Sequence, residues 1–421
     1  MDASRFFTRT LRDPRMARIL AAAIEAVEPG KLVRDSLEHI PKTEGRIFAL
    51  GLGKAAVAMT RALANSLRVT KALVITKHAT IKSSSSFTVM EGGHPVPDAR
   101  SLTAGQAALD FVAPLQEDDL LVCLISGGGS ALVTAPVEGV TLQDMQDLTS
   151  SLLACGATID EINTVRRQLD RIKGGGLAEA TKARILSLIL SDVLGNPLET
   201  IASGPTVPNP TTSNDVLNIL KKHKLTPPES LLRALGSSPA EFGFSISSRA
   251  QNFVIGDLTT AAQAAQMQAE KEGFNVQLLN LQLQGEASQV GREMANHLVP
   301  AMRSQARPFC LIAGGETTVT MRGRGKGGRN QELALASVEI LSGVQDAVLV
   351  SLATDGEDGP TDAAGAVVNG QSHQRGEKLG MFAADYLSRN DAYAYFTGLG
   401  DLLKPGPTGT NVNDLIFLFG L

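Results

Sequence analysis

Cysteine is scarce: Cys123, Cys155 and Cys310 stand far apart and form no CxxC pair. A disulfide-stapled scaffold and a zinc cluster are thereby disfavoured, and a reducing cytosol suits the chain better than secretion. No run of about 18 apolar residues occurs, so the sequence offers no membrane span. Nor is there an excess of positive charge. Lys and Arg number 39 against 43 Asp and Glu, a net charge of −4, whereas a general polyanion binder is usually basic. Broad nucleic-acid binding loses weight, although a local basic cluster could still hold a phosphate. Gly and Pro, 41 and 19 of 421 residues, fall short of the roughly 25–30% of a disordered chain. Two nucleotide-kinase signatures are also missing. Lys31, Lys54 and Lys326 each follow a glycine, but none precedes Ser or Thr, so there is no Walker A loop. The HRD and DFG motifs of protein kinases are absent as well.

What remains is an apolar fraction of 43% over 421 residues, enough for two to three domains at roughly 150 residues each. Arg5, Arg9, Arg12, Arg15 and Arg18 resemble a transit peptide, but Asp2 and Asp13 interrupt the series. Ile19, Leu20, Ile24 and Val27 then follow at helical spacing. The segment reads as a first domain helix ended by Pro29-Gly30.

Short, continuously apolar runs mark strands at Arg46–Leu50, Lys71–Thr76, Phe87–Met90, Leu120–Ile125 and Ile185–Leu190. Helical patterns separate them at 55–67, 98–112, 141–154 and 160–171. Runs of this kind fit parallel strands covered on both faces, and the alternation predicts an α/β sheet with crossovers. Residues 193–213 form a long polar loop. Composition shifts at about 224–245, which places a domain boundary there. The second half predicts strands at Phe253–Ile255, Val276–Leu279, Phe309–Ile312, Thr317–Met321, Ala347–Ala353 and Leu415–Phe419. Helices are expected at 258–272, 287–303 and 330–341.

Open α/β sheets bind ligands beyond the carboxyl ends of their strands. Five Gly-rich or acidic turns are expected there: 51–54, 126–130, 192, 314–316 and 355–359. Ser126-Gly127-Gly128-Gly129-Ser130 can form an anion nest of successive N–H groups, or simply a tight turn. Gly51-Leu52-Gly53-Lys54 has the dinucleotide spacing but lacks the acid about 20 residues on; the next strand ends Thr76-Lys77-His78. Lys54 opens a helix in this reading, where its ammonium could neutralise a transferring phosphoryl group.

The basic loop 322–329 includes Arg322, Arg324, Lys326 and Arg329. Arg329 falls at a helix start, where the dipole disfavours a cation and a bound phosphate would resolve the conflict. Asp355, Glu357 and Asp358 share one short loop and suit Mg²⁺, which takes one or two carboxylates plus substrate phosphate. Equally, they could be turn formers. Asp192, Glu316, Asp355 and Asp358 are the candidate metal ligands. Gly53, Ser126, Gly127, Gly128, Gly129, Ser130, Lys326 and Asn413 are the candidate substrate- and phosphate-binding residues. Asn413 could also cap a turn, and His94 reads as a structural histidine. Anion loops, cations and carboxylates together suggest phosphoryl transfer, whose catalysis is largely positioning and charge stabilisation.

These motifs resemble the glycerate 2-kinase family that carries a C-terminal MOFRL segment. The matching stretches are GLGKAA (51–56), GGHPVPD (92–98), LISGGGSAL (124–132), SDVLG (191–195) and IASGPTVP (201–208). In the second half they are GGETTV (314–319), GKGGRNQELALA (325–336), ATDGEDGPTDAAGA (353–366) and TGTNVNDL (408–415). The resemblance spans nearly the whole chain. It implies ATP- and Mg²⁺-dependent phosphorylation of D-glycerate at the 2-hydroxyl, with Lys54 and Arg329 as catalytic residues. It also implies a Rossmann-like α/β/α N-terminal domain (1–235) and a smaller α/β C-terminal domain (245–421). The MOFRL segment would cover about 305–415, and the active site would lie in the interdomain cleft. Asn196 departs from the Asp common after SDVxG, and that position stays outside the metal set. Family members have also been labelled hydroxypyruvate reductases, so an NAD(P)H-dependent reductase is the alternative. The implied partners are D-glycerate and ATP in the cytoplasm, with neither nucleic acid nor membrane. A homo-oligomer is compatible with the sequence, which fixes no oligomeric state.

Overall fold

The computed structural model describes residues 1–79, 83–237 and 244–421. Ser238 and Pro239, within the expected linker, lie outside the described residues. The chain divides into two compact units, one of residues 29–255 and one combining 1–28 with 256–421. The expected first domain of 1–235 differs from the first unit at both ends.

Six strands build the sheet of the 29–255 unit: β1 (Ile47–Leu52), β2 (Lys71–Thr76), β3 (Phe87–Glu91), β4 (Leu120–Ser126), β5 (Arg184–Leu190) and β6 (Ala250–Gly256). Their order is β3-β2-β1-β4-β5-β6, and β3 to β5 pair in parallel. Every residue of β4 is buried, which explains its unbroken apolar run. Helix starts follow cap chemistry. Asp98 and Ser101 close a capping box at the Ala99–Val112 helix, and Thr141 with Asp144 does so at Leu142–Ala154. Leu50, Leu121, Cys123, Ile125 and Ile189 pack with Ala104, Ala108 and Val112 in one core. A second cluster, including Leu148, Leu152, Ile162, Val165, Val216 and Leu220, lies among the outlying helices.

The segment expected to begin the second half as a strand, Phe253–Ile255, is instead part of β6 on this sheet. Pairing with a distant strand decides that, and local pattern carries no trace of it. Pro29 does not only end the first helix. It opens a further helix, Pro29–Asp35, as the fixed φ of proline allows at a first helical position. Helices at Ser213–Lys222, Glu229–Ser237 and Phe244–Arg249 were not expected.

The other unit holds β7 (Asn275–Leu278), β8 (Leu283–Glu286), β9 (Phe309–Thr318), β10 (Ala347–Ala353), β11 (Gly365–Asn369), β12 (Leu402–Leu403) and β13 (Asp414–Gly420). The order is β12-β11-β10-β13-β9-β7, with β8 also on β9. Unlike the first sheet it is mixed: β13 runs antiparallel to both β9 and β10, while β7 and β8 are parallel to β9. The Pro14–Ala26 helix belongs here. Arg18 makes a double hydrogen bond to Glu272 at 2.7 and 2.6 Å, joining it to the Leu258–Lys271 helix. Among the described residues, no helix is long and apolar enough to cross a membrane.

One expected turn is not a turn. Residues 314–316, read as a break between two strands, lie inside the single strand β9. The two glycines serve close packing. A side chain on Gly315 would overlap the Leu283 backbone of β8, and one on Gly314 would crowd the Asp414 carbonyl.

Candidate active site

In the 29–255 unit the strand order reverses direction between β1 and β4, the switch point at which such sheets bind ligands. The turns after these two strands are locked together. The Lys54 N–H donates to the Gly127 carbonyl at 3.0 Å, and the Ala55 N–H donates to Ser126 Oγ at 3.0 Å. Gly53 has φ 121°, and a Cβ there would overlap the Ser126 carbonyl oxygen. Ser126 is thus a buried fastener between the turns. The helix begins at Ala56, so Lys54 lies in the turn before it. Its side chain is exposed and makes no ion pair with a described residue.

Gly128 takes φ 85° and precedes a short helix, Gly129–Leu132. Among the described residues, no acceptor takes the N–H of Gly127 or Gly128. The Asp192 carboxylate, just past β5, abuts Gly127 so closely that a Cβ would overlap it. His94 and the Lys54 stem flank Gly128, each within 3.3 Å of where a Cβ would stand. Burial, Lys54 and Lys77 push the His94 imidazole down to about 4, so it is neutral near pH 7.

Ser130 Oγ lies 2.7 Å from Ser203 Oγ. Ala202, Ser203 and Gly204 are three successive left-handed residues, with φ 51°, 61° and 63°. Such conformations cost about 1–3 kcal/mol each for non-glycine residues. The neighbouring glycine loop holds them: the Gly174 N–H donates to the Ser203 carbonyl at 2.9 Å and the Gly175 N–H to the Gly204 carbonyl at 2.7 Å. That loop is anchored by a buried ion pair, Lys173 with Asp170. Lys173 also donates to the Val133 carbonyl at 3.1 Å. Asn196 has φ 54°, a conformation that asparagine tolerates well.

In the other unit the strand register assembles a second cluster. Asp414 at the start of β13 faces Gly315 on β9 and Ala353 on β10. It therefore sits beside the last residue of β10 and the interior of β9. Arg329 opens the Arg329–Ser337 helix, with Nε 2.6 Å from Asp414 Oδ2 and Nη1 donating to Glu316 Oε1 at 2.8 Å. The conflict of a cation at a helix start is thus resolved by protein carboxylates, and no phosphate is needed for it. Burial opposes the Arg329 charge, but Asp414 and Glu316 outweigh it and raise its pKa. Burial pushes the Asp414 carboxyl up to about 7, against the pull of Arg329.

Asp358 is 2% exposed and caps the same helix. It accepts the N–H groups of Asn330 at 3.1 Å and Gln331 at 2.8 Å. Its oxygens are committed to the helix, so it does not fit a metal role. Glu316 is committed to Arg329. Among the described residues, no three His, Cys, Asp or Glu side chains group as a metal site. The other two candidate ligands, Asp192 and Asp355, follow β5 and β10 in separate units. Asp355 is half-buried just past β10 and accepts the Glu357 N–H at 3.0 Å.

Asn413 is buried with φ 72°, and its carbonyl accepts from Thr354 N–H and Oγ1 at 3.2 and 2.6 Å. The turn-forming option is therefore present at this residue. Lys326 holds its ammonium 4.4 Å from the Tyr393 ring centroid. The basic loop is pinned through its backbone: Asn390 Oδ1 accepts the Arg322 and Gly323 N–H groups at 2.6 and 2.9 Å. The sequence reading missed Asp414, the neutrality of His94 and the Ser203 contact. NVNDL was in view as a motif, but no local signal says that its Asp meets Arg329.

Known proteins match most of this chain. Residues 15–236 match a family model described as a domain of unknown function (DUF4147), and residues 309–414 match the MOFRL family. A D-glycerate 2-kinase of Thermotoga maritima is 41% identical, covering 94% of this chain and 96% of its own. The chain belongs to the glycerate 2-kinase family. A glycerate 2-kinase of Pyrococcus horikoshii is 37% identical over 95% of each chain. The crystal structure of a Thermotoga maritima glycerate kinase superposes with a TM-score of 0.91 at 39% identity, over 96% of this chain and 98% of that one. The family's two-domain α/β fold is the one observed here. A relative from Agrobacterium vitis is named, provisionally, a hydroxypyruvate reductase. The reductase alternative is nevertheless not supported: the kinases above match as well or better, and β2 ends at Thr76-Lys77 where a dinucleotide site keeps an acid.

Proposed function

We propose that the protein transfers the γ-phosphoryl group of ATP to the 2-hydroxyl of D-glycerate, giving 2-phospho-D-glycerate and ADP. The hydroxyl oxygen forms the new P–O bond as the bond to the bridging oxygen of ADP breaks, and the hydroxyl proton is released. The observation that carries this reading is the switch-point turn, in which backbone donors at Gly127 and Gly128 stand beside the Lys54 side chain, which makes no ion pair with a described residue. That combination stabilises phosphate charge in a fixed geometry.

Each group has a role in this reading. The Gly53 turn and residues 127–130 cradle phosphate oxygens, and Ser126 keeps the two turns in register. Lys54 neutralises charge building on the transferring group. Arg329, held by Asp414 and Glu316, presents the rest of its guanidinium fork to an anionic group of substrate. Mg²⁺ would neutralise phosphate charge, and one or two carboxylates plus phosphate oxygens suffice for that ion; Asp192 in the 29–255 unit and Asp355 in the other unit are each a proposed ligand. Lys326 and Asn413 contact substrate. His94, being neutral, adds no charge beside Lys54. The scarcity of cysteine supports a cytoplasmic setting.

A ³¹P NMR time course with ATP, Mg²⁺ and D-glycerate tests the reaction. A 2-phosphoglycerate resonance is expected. A 3-phosphoglycerate resonance would overturn the regiochemistry, and no transfer by folded protein would overturn the function. Lys54→Ala and Arg329→Ala should each lower turnover at least about tenfold with the fold intact. Wild-type turnover in both would remove the roles given to them.

A further inference from the structure

The 256–421 segment contains a cavity of about 260 Å³ lined by Arg292, Arg322, Glu332, Leu335, Leu387 and Asn390, among others. None of these residues has a role in the reaction above. The volume lies just below the roughly 300–1,000 Å³ of pockets for drug-sized ligands, so the cavity suits a small metabolite.

Its chemistry is polarised. Glu332 is 5% exposed and is hydrogen-bonded on one side only: Asn390 Nδ2 donates to Oε2 at 3.0 Å. Oε1 accepts from no described residue. Oε1 is not among the fully buried unpartnered atoms, and Glu332 lines the cavity, where an ammonium group with its three donors would satisfy this oxygen. Arg322 acts electrostatically on Glu332, yet the two form no ion pair within 4.0 Å, so a gap separates them. The exposed Arg322 guanidinium is paired with no described carboxylate. Glu286, also in the lining, is already occupied, accepting from Thr320 N–H and Oγ1 at 3.1 and 2.9 Å. Glu339 sits exposed at the edge, and Leu335 and Leu387 supply apolar wall.

We propose that this cavity binds a small α-amino acid as its zwitterion, with the ammonium on Glu332 and the carboxylate on the Arg322 fork. The order carboxylate–ammonium–carboxylate–guanidinium alternates in sign across the gap. A diamine would bring a cation to Arg322, and a dicarboxylate would bring an anion to Glu332. Guanidinium matches a carboxylate with two parallel donors.

Isothermal titration calorimetry of the full chain against the protein amino acids, with 1,4-diaminobutane and succinate as controls, tests this. At least one amino acid should bind in the micromolar to low-millimolar range, and neither control should bind as tightly. Glu332→Gln keeps the Asn390 bond and should weaken binding about tenfold or more, as should Arg322→Ala. Ala384→Trp, an exposed lining position, should block the cavity without touching the core. Absence of amino-acid binding to the wild type would overturn the proposal. So would tighter binding of either control, or full affinity in both charge variants or in Ala384→Trp. The titration uses neither nucleotide nor glycerate, so its outcome is independent of the phosphotransferase reading.

Discussion

Asp414→Asn separates charge from shape at the Arg329 cluster. The substitution keeps the size of the side chain and one oxygen acceptor, but removes the charge 2.6 Å from Arg329 Nε. Asp414 is 8% exposed at its side chain and Arg329 29%, whereas Glu316 is 49% exposed. Removing one partner of a fully buried pair costs about 3–5 kcal/mol, and an exposed pair is worth about 0–1 kcal/mol. With Arg329 nearly a third exposed, a loss of about 1.4–2.8 kcal/mol in transition-state stabilisation is expected, or roughly 10–100-fold in kcat/KM. Glu316→Gln should cost less than about fivefold.

The pH dependence is the sharper test. The Asp414 carboxyl is raised to about 7, so below that value it is protonated and its hold on Arg329 weakens. A coupled assay of ADP release should therefore show kcat/KM falling on the acid side of about pH 7 in the wild type. Asp414→Asn should be low throughout and lack that limb. Stability moves the other way. Because the folded state keeps a proton that the unfolded chain loses near about 3.9, stability should fall as pH rises from there to about 7. The slope is at most about 1.4 kcal/mol per pH unit, and Asp414→Asn should flatten it. Wild-type kcat/KM with an unchanged acid limb in Asp414→Asn would refute the reasoning.

Lys173→Met should destabilise the protein by about 3–5 kcal/mol, because it strands the buried Asp170 charge. Denaturant midpoints should show the double variant Lys173→Met, Asp170→Leu recovering part of that loss. Gly53→Ala meets both a φ of 121° and the Ser126 carbonyl; a loss of about 1–3 kcal/mol and weaker ATP binding are expected, and unchanged affinity by calorimetry would count against the role of this turn. His94 should show no NMR titration above about pH 6, since its folded pKa is about 4. Its contribution to stability should accordingly rise with pH between about 4 and 6.5.

By itself the sequence determined the strand-end chemistry of the first sheet. Continuous apolar runs such as LLVCLI need cover on both faces, and a glycine-rich turn at the end of one is recognisable wherever it occurs. Residues 126–130 and Lys54 were legible for that reason. Longer-range matters were decided only by tertiary structure. The Pro14–Ala26 helix belongs with residues 256–421, and β6 joins the first sheet, because packing and pairing link residues far apart in sequence. The glycines at 314–315 looked like a turn and proved to lie inside β9, since only a neighbouring backbone reveals why a side chain is not tolerated. Arg329 looked like a cation awaiting a phosphate. Its partner Asp414 is 85 residues away, brought there by the antiparallel register of β13, and no local pattern encodes a register between distant strands.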